Sequence, residues 1–277
     1  MITIGLVTWT DHPSLDSAGK KPTLTEYAQY FPVVEVDSLY YGIRGPEMEQ
    51  KWQQQVPNDF QFILKAYQGM TKQADWQAHY VSEAAMFAAY RKAVAPLFDH
   101  QQLKAILFQF PNFFPLTQEN VQYLRRISVY LKGYPVAVEF RNSSWYEDTY
   151  RASTLKFLKE LGFIHVIPDE PQTPTNSVPF VPVATNPNLT ILRLHGRNAE
   201  GWANQGQSWR KTRTLYHYST SELEHFADVA KQLEQTSKEV CVIFNNNSAH
   251  DAAPNAAELA QILGLEWHQE PEQTSLF

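Results

Sequence analysis

The sequence reads as an α/β chain closed into a (β/α)8 TIM-like barrel of eight mainly parallel strands. Three observations carry that reading. Eight apolar, β-rich runs recur along 277 residues. Segments of helical period separate most of them, the signature of parallel βαβ units. No GxGxxG turn follows the first run, which weakens the competing doubly wound open sheet, whereas the count of eight and the length suit a barrel.

Taken in order, the strand runs are ITIGLVTW (2–9), VVEVDSLY (33–40), FQFILKAY (60–67), KAILFQF (104–110), PVAVEFR (135–141), FIHVIPD (163–169), TILRLHG (190–196) and EVCVIFNN (239–246). Between the third and fourth, Ala85, Met86, Ala89, Tyr90 and Ala93 recur at helical spacing within 82–98. Thr117 can cap a helix to Leu131 whose stripe is Val121, Leu124, Ile127 and Leu131, with Gly133 as its stop. Thr149 or Ser153 opens another, closed by Gly162. Thr220 opens one over 223–233, and Pro254 opens the last, through Ile262. The longest irregular piece, 170–188, holds five prolines. With no repeat and no low-complexity linker, the chain is expected to be one domain, 1–277.

Composition narrows the function classes. The chain is 43% hydrophobic and 19% charged, ordinary for a soluble globular protein. A net charge of -6 argues against a nucleic-acid coat and against an anionic membrane surface. A single cysteine, Cys241 in an apolar run, excludes an internal disulfide and a Cys-based metal site. The start, MITIGLVTW, is too short and lacks the basic front of a signal peptide, and no apolar run approaches a membrane span, so the expected location is cytoplasmic.

Active sites of such barrels gather at the C-terminal strand ends. Those ends carry Trp9, Glu35 and Asp37, Lys65, Gln109, Glu139 and Arg141, Asp169, Arg193 and His195, and Asn245 with Asn246. On three strands two polar groups stand two residues apart, Glu35/Asp37, Glu139/Arg141 and Arg193/His195, and so share a face. Burying such charges costs several kcal/mol each unless they are paired. A structural ion network closing the barrel is therefore the plain alternative to a ligand site. Trp9, Tyr40, Tyr41, Tyr67, Trp145, Trp202, Trp209 and Tyr216 fall on the same side, where rings can stack on a ligand or simply cover helices. The loop after the seventh strand carries Arg197, Arg210, Lys211 and Arg213 and reads as a basic lid or as a solvated loop.

Read together, VEVDSLYY, FQFILKAYQGMT, LFQFPNFF, VEFRNSSW, RLHGR and FNNNSAHDAAPNAAEL resemble, in order, the blocks of the YecE-like family of TIM-barrel-like proteins of unknown function. Asp37, Leu39 and Asn142 depart from that pattern, which usually has Asn, Thr and His there. The resemblance implies the fold more than an activity.

The leading functional expectation is a mouth that binds, or binds and turns over, a small anionic or phosphorylated compound. Lys65, Arg141 and Arg193 form the anion clamp and leave the mouth locally positive; Glu139 or Glu35 is the base and His195 the acid or base. Asp169, Asn245, Asn246, Trp9, Tyr40 and Trp145 complete the ligand-binding set. No cofactor and no metal is expected. A metal-dependent hydrolase, akin in fold to endonuclease IV and xylose isomerase, would draw on Glu139, Asp169, His195 and Glu35, but lacks the several strand-end histidines such zinc sites use. Contact with a nucleic-acid backbone is weakened by the net charge, and a glycosidase by Gln109 standing where the fourth strand might offer an acid. A non-catalytic scaffold remains the fourth reading.

Overall fold

The computed structural model describes residues 1–16, 18–173, 177–203 and 212–265. Eight strands close into a barrel in chain order: β1 (Ile2–Val7), β2 (Val33–Val36), β3 (Gln61–Lys65), β4 (Leu103–Gln109), β5 (Val136–Glu139), β6 (Ile164–Asp169), β7 (Leu189–Leu194) and β8 (Glu239–Phe244). Every neighbouring pair is parallel, and β8 returns to β1. The closed parallel barrel expected from the sequence is therefore present.

The α-helices around it are α1 (Leu24–Tyr27), α2 (Glu47–Gln53), α3 (Glu83–Asp99), α4 (Gln118–Tyr130), α5 (Asp148–Glu160), α6 (Ala199–Ala203), α7 (Thr220–Glu234) and α8 (Ala252–Leu263). Thr117 caps α4 as expected, its side chain accepting from the Asn120 N–H. α7 begins one residue earlier than Thr220 would cap it, because Ser219 and Glu222 form a capping box. The last helix starts two residues before Pro254, which sits in the first turn, where a missing N–H is harmless. The short helix α1 was not expected from the sequence; a Thr23–Glu26 capping box specifies it.

Several strands end sooner than their apolar runs. β2 stops at Val36 and the chain turns through a 3-10 segment at Ser38–Tyr40; β5 stops at Glu139. At those points the chain leaves the ladder to bend over the barrel mouth. Inside the barrel, Val7, Val33, Ile63, Ala105, Leu107, Ala137, Ile164, Val166, Ile191, Cys241 and Ile243 form one apolar cluster, and a larger one lies between strands and helices. Gly5 lies in this interior because a Cβ there would meet the Val33 carbonyl oxygen at 2.2 Å. The Cys241 thiol, pushed up to about 12 by burial, is inert packing. Among the described residues no helix is long and apolar enough to cross a membrane.

Candidate functional site

Residues of β2, β5 and β7 that point inward meet on the barrel axis. Arg193 of β7 is buried and forks onto Glu35 of β2, with Nε donating to Oε2 at 2.8 Å and Nη2 to Oε1 at 2.5 Å. Its Nη1 donates to Glu139 Oε2 of β5 at 2.5 Å. The other oxygen of Glu139 accepts from Gln109 Nε2 at 2.8 Å and lies 2.5 Å from Arg141 Nε. Arg141 pairs through Nη1 with Glu170, and its Nη2 lies 2.9 Å from His195 Nε2. The planar forks of two guanidiniums thus share one carboxylate.

These partners set the protonation states. Burial would raise Glu139, but Arg141, Arg193 and His195 outweigh it and hold the carboxyl well below its usual range. Burial raises Glu35, and Arg193 offsets part of that rise. Burial, reinforced by Arg141, keeps His195 far below its ordinary value, so the imidazole is neutral. Arg141 Nη2 lies 2.9 Å from Nε2 and the Asn245 amide nitrogen 2.8 Å from Nδ1; a neutral imidazole accepts at one nitrogen only, so with Arg141 donating to Nε2, Asn245 must turn its amide oxygen to the Nδ1 proton. Glu170 is pushed up to about 7 by burial despite Arg141.

Above this layer lies a cavity of about 770 Å³. Its wall includes Thr8, Asp11, Asp37, Lys65, Gln73, Gln109, Phe113, Arg141, His195, Trp202, Arg213, Asn245 and Asn247. Lys65 Nζ is 3.3 Å from Asp37 Oδ2 and lies over the Tyr40 ring. Trp202 is flanked by two guanidiniums, Arg213 at 3.8 Å and Arg141 at 5.3 Å from the ring centroid. Among the described residues no group of three or more His, Cys, Asp or Glu side chains is arranged to hold a metal ion.

Eight of the twelve expected site residues fall at the mouth, in three groups. Lys65, Arg141, His195 and Asn245 face the cavity. Glu35, Glu139 and Arg193 lie together directly beneath it, sealed from solvent. Tyr40 stands one layer back, its hydroxyl donating to Gln73 at 3.1 Å.

The remaining four lie elsewhere. Asp169 faces outward, accepting from Arg197 and, at 2.7 Å, from the Tyr218 hydroxyl. Asn246 also points away from the axis, donating to the Tyr216 carbonyl and to Asn255. Trp9 follows Thr8, whose φ of 58° breaks the strand phase, and packs edge-on against Trp52. Trp145 is buried behind β5, stacked at 4.1 Å on Phe140, with its indole N–H donating to the Phe114 carbonyl. Phe140 alternates with Glu139 and Arg141, so Trp145 belongs to the outer face.

The inward group after β6 is Glu170, one residue beyond Asp169. FIHVIPD is buried on both faces, with His165 and Asp169 in phase on one of them, so its alternation does not say which face turns inward, and a slip of one residue reverses every side chain. His165 is a core histidine, held between the Tyr146 hydroxyl and the Val183 carbonyl and lowered to about 4 by burial. Glu170, Asp11 and Asp37 offset the cations, so the mouth as a whole is not positive as expected; the asymmetry lies in which charges face the cavity. Of the proposed lid, Arg197 is tied to Asp169 and Glu222, Arg213 lines the cavity, and Trp209, Arg210 and Lys211 lie outside the described residues.

Comparison with known proteins places this arrangement among relatives. Residues 3–275 match the family described as "Protein of unknown function DUF72". The chain is 40% identical over 282 residues to the UPF0759 protein YunF of Bacillus subtilis (strain 168), covering 100% of each. It is 38% identical over 65 residues, 24% of this chain and 23% of that one, to the UPF0759 protein YecE of Escherichia coli (strain K12). A crystal structure of a DUF72 family protein from Enterococcus faecalis V583 superposes with a TM-score of 0.93 at 46% identity, covering 96% of both chains. One from Thermotoga maritima MSB8 gives 0.78 at 26% identity, covering 95% of this chain and 99% of that one.

Proposed function

Since the chain belongs to the DUF72 family, whose function is unknown, we propose from its own geometry that the barrel mouth binds a small anionic or phosphorylated compound. One observation carries the reading. Arg141 faces the cavity with its Nε in ion-pair range of Glu139 and with Nη1 on Glu170 and Nη2 on His195, which leaves one N–H on each terminal nitrogen for a ligand. Among the described residues Lys65, on the same wall, has one oxygen partner, Asp37, and so retains two donors toward them.

The layer beneath supports this. A guanidinium held by three partners presents its spare donors with little rotamer entropy left to lose on binding. Glu139 is ionised, enclosed and fully occupied, and neutral His195 turns Nε2 toward Arg141. We therefore assign Glu35, Glu139 and His195 to positioning Arg193 and Arg141 rather than to moving protons. The ion network expected as an alternative to a ligand site then becomes the foundation of that site. Amide groups of Gln73, Gln109, Asn245 and Asn247 on the wall suit a ligand that also bears hydroxyls.

The test is a series of thermal melts at fixed ionic strength with phosphate, sulfate and a neutral sugar. Anions should raise the melting temperature with the logarithm of their concentration above Kd, by about 2.7 kcal/mol of stability at a hundredfold excess over Kd. The neutral sugar alone should do far less. No shift with any anion would overturn the reading.

A further inference from the structure

Resting on that reading, we infer that the preferred anion also carries a protonated amine, which the carboxylate of Asp11 receives across the mouth. Asp11 lines the cavity, half-buried, on the loop after β1. Arg141 follows β5, four strands away in a ring of eight, so the two stand on opposite sides of the mouth. Lys65, the last residue of β3, lies between them.

Among the described residues the two wall carboxylates are in different states. Asp37 already has Lys65 at 3.3 Å. Asp11 has no cation in ion-pair range; its carboxylate takes only a 3.3 Å contact from the Thr10 hydroxyl. A carboxylate that is partly desolvated and unmatched is one a ligand cation can complete. Asp11 is also held in place. His250 Nδ1 lies 2.7 Å from its carbonyl oxygen, and His12 Nε2 contacts the carbonyls of Val7 and Thr8 just before it. The cavity thus has a guanidinium pole at Arg141 and Arg213 and a carboxylate pole at Asp11, with amides and the exposed Phe113 ring between. That is the pattern expected for an amino-bearing anion of sugar-phosphate size.

The experiment compares two probes that differ at one group, glucosamine 6-phosphate and glucose 6-phosphate, with inorganic phosphate as the reference, at a pH where the amine is protonated. Wild-type protein should bind the amino compound about three- to tenfold more tightly than its hydroxyl counterpart. Asp11→Asn should erase that preference and leave inorganic phosphate binding unchanged. The variant should fold, because the backbone oxygen, not the carboxylate, receives His250. If phosphate binds but the two sugars bind alike, the inference fails and the anion reading stands. If Asp11→Asn retains the preference, the amine is read elsewhere and the inference fails. If neither phosphate nor either sugar phosphate binds, both readings fall together.

Discussion

The two ends of the barrel interior bury charge in different ways. At the N-terminal end a bulge in β4, where Phe62 and Ile63 pair with Leu103 and Ala105, leaves Lys104 as the extra residue; its ammonium pairs with Glu239 of β8. The Thr3 hydroxyl donates to the same carboxylate at 2.6 Å. One cation meets one carboxylate there, and Lys104 is buried and does not line the mouth cavity. At the C-terminal end Arg193 holds two buried carboxylates, and the second of these holds Arg141, which turns toward open space. A buried pair closes a barrel. A network whose donors face a cavity presents them.

Removing Arg193 should have the largest effect. Arg193→Met strands Glu35 in the interior, leaves Glu139 with only Arg141 and Gln109, and should cost about 3–5 kcal/mol in urea unfolding. Adding Glu35→Gln should recover part of the loss. A loss below about 1 kcal/mol would mean the network contributes no more than surface pairs do.

Lys104→Met should cost less, about 1–3 kcal/mol, because Glu239 is only partly buried and keeps Thr3. It should leave phosphate affinity unchanged. A change in affinity would show that the two ends are coupled and break the comparison.

Arg141→Ala should invert that pattern. Stability should fall only about 1–2 kcal/mol, because Glu139 keeps Arg193 and Gln109, while phosphate affinity drops tenfold or more in calorimetry. Equal affinity in the variant would remove Arg141 from the site.

The smallest effect is on pH dependence. Glu170, pushed up to about 7 in the fold from its ordinary 4.5, binds more protons folded than unfolded between those values. Its contribution to stability is therefore present at low pH and lost as pH rises to about 7. Protonation also removes one anionic neighbour of Arg141, so anion affinity should fall as pH rises through about 7. Glu170→Gln should flatten both trends relative to wild type. His195 and His165, both lowered, act oppositely, favouring the fold above their ordinary value of 6.5 and losing that contribution as pH falls below it.

How much was legible follows from what strand periodicity encodes. Glu35, Glu139, Arg193 and His195 were readable because polar groups two residues apart on an otherwise apolar strand declare a common face. β6 carried no such marker, and Glu170 was missed in favour of Asp169, which faces the helices. Past the strand ends the phase is lost. The positive φ at Thr8 turns Trp9 away, and the 3-10 turn at Ser143–Tyr146 folds Trp145 back onto Phe140. Asp11, Gln73 and Phe113 come from loops, where no periodicity marks which side chains turn inward. The barrel was legible because it rests on the recurrence of whole elements rather than on the phase of any one.

The central claim is that a network sealed beneath the mouth exists to hold Arg141 with donors to spare. Crystals soaked in selenate, whose selenium scatters anomalously, test it directly. The account predicts an anomalous peak in the cavity, within hydrogen-bond reach of both terminal nitrogens of Arg141 and near Lys65, and its loss in Arg141→Ala. Peaks confined to the outer surface at saturating selenate, with the mouth empty of anion, would contradict it.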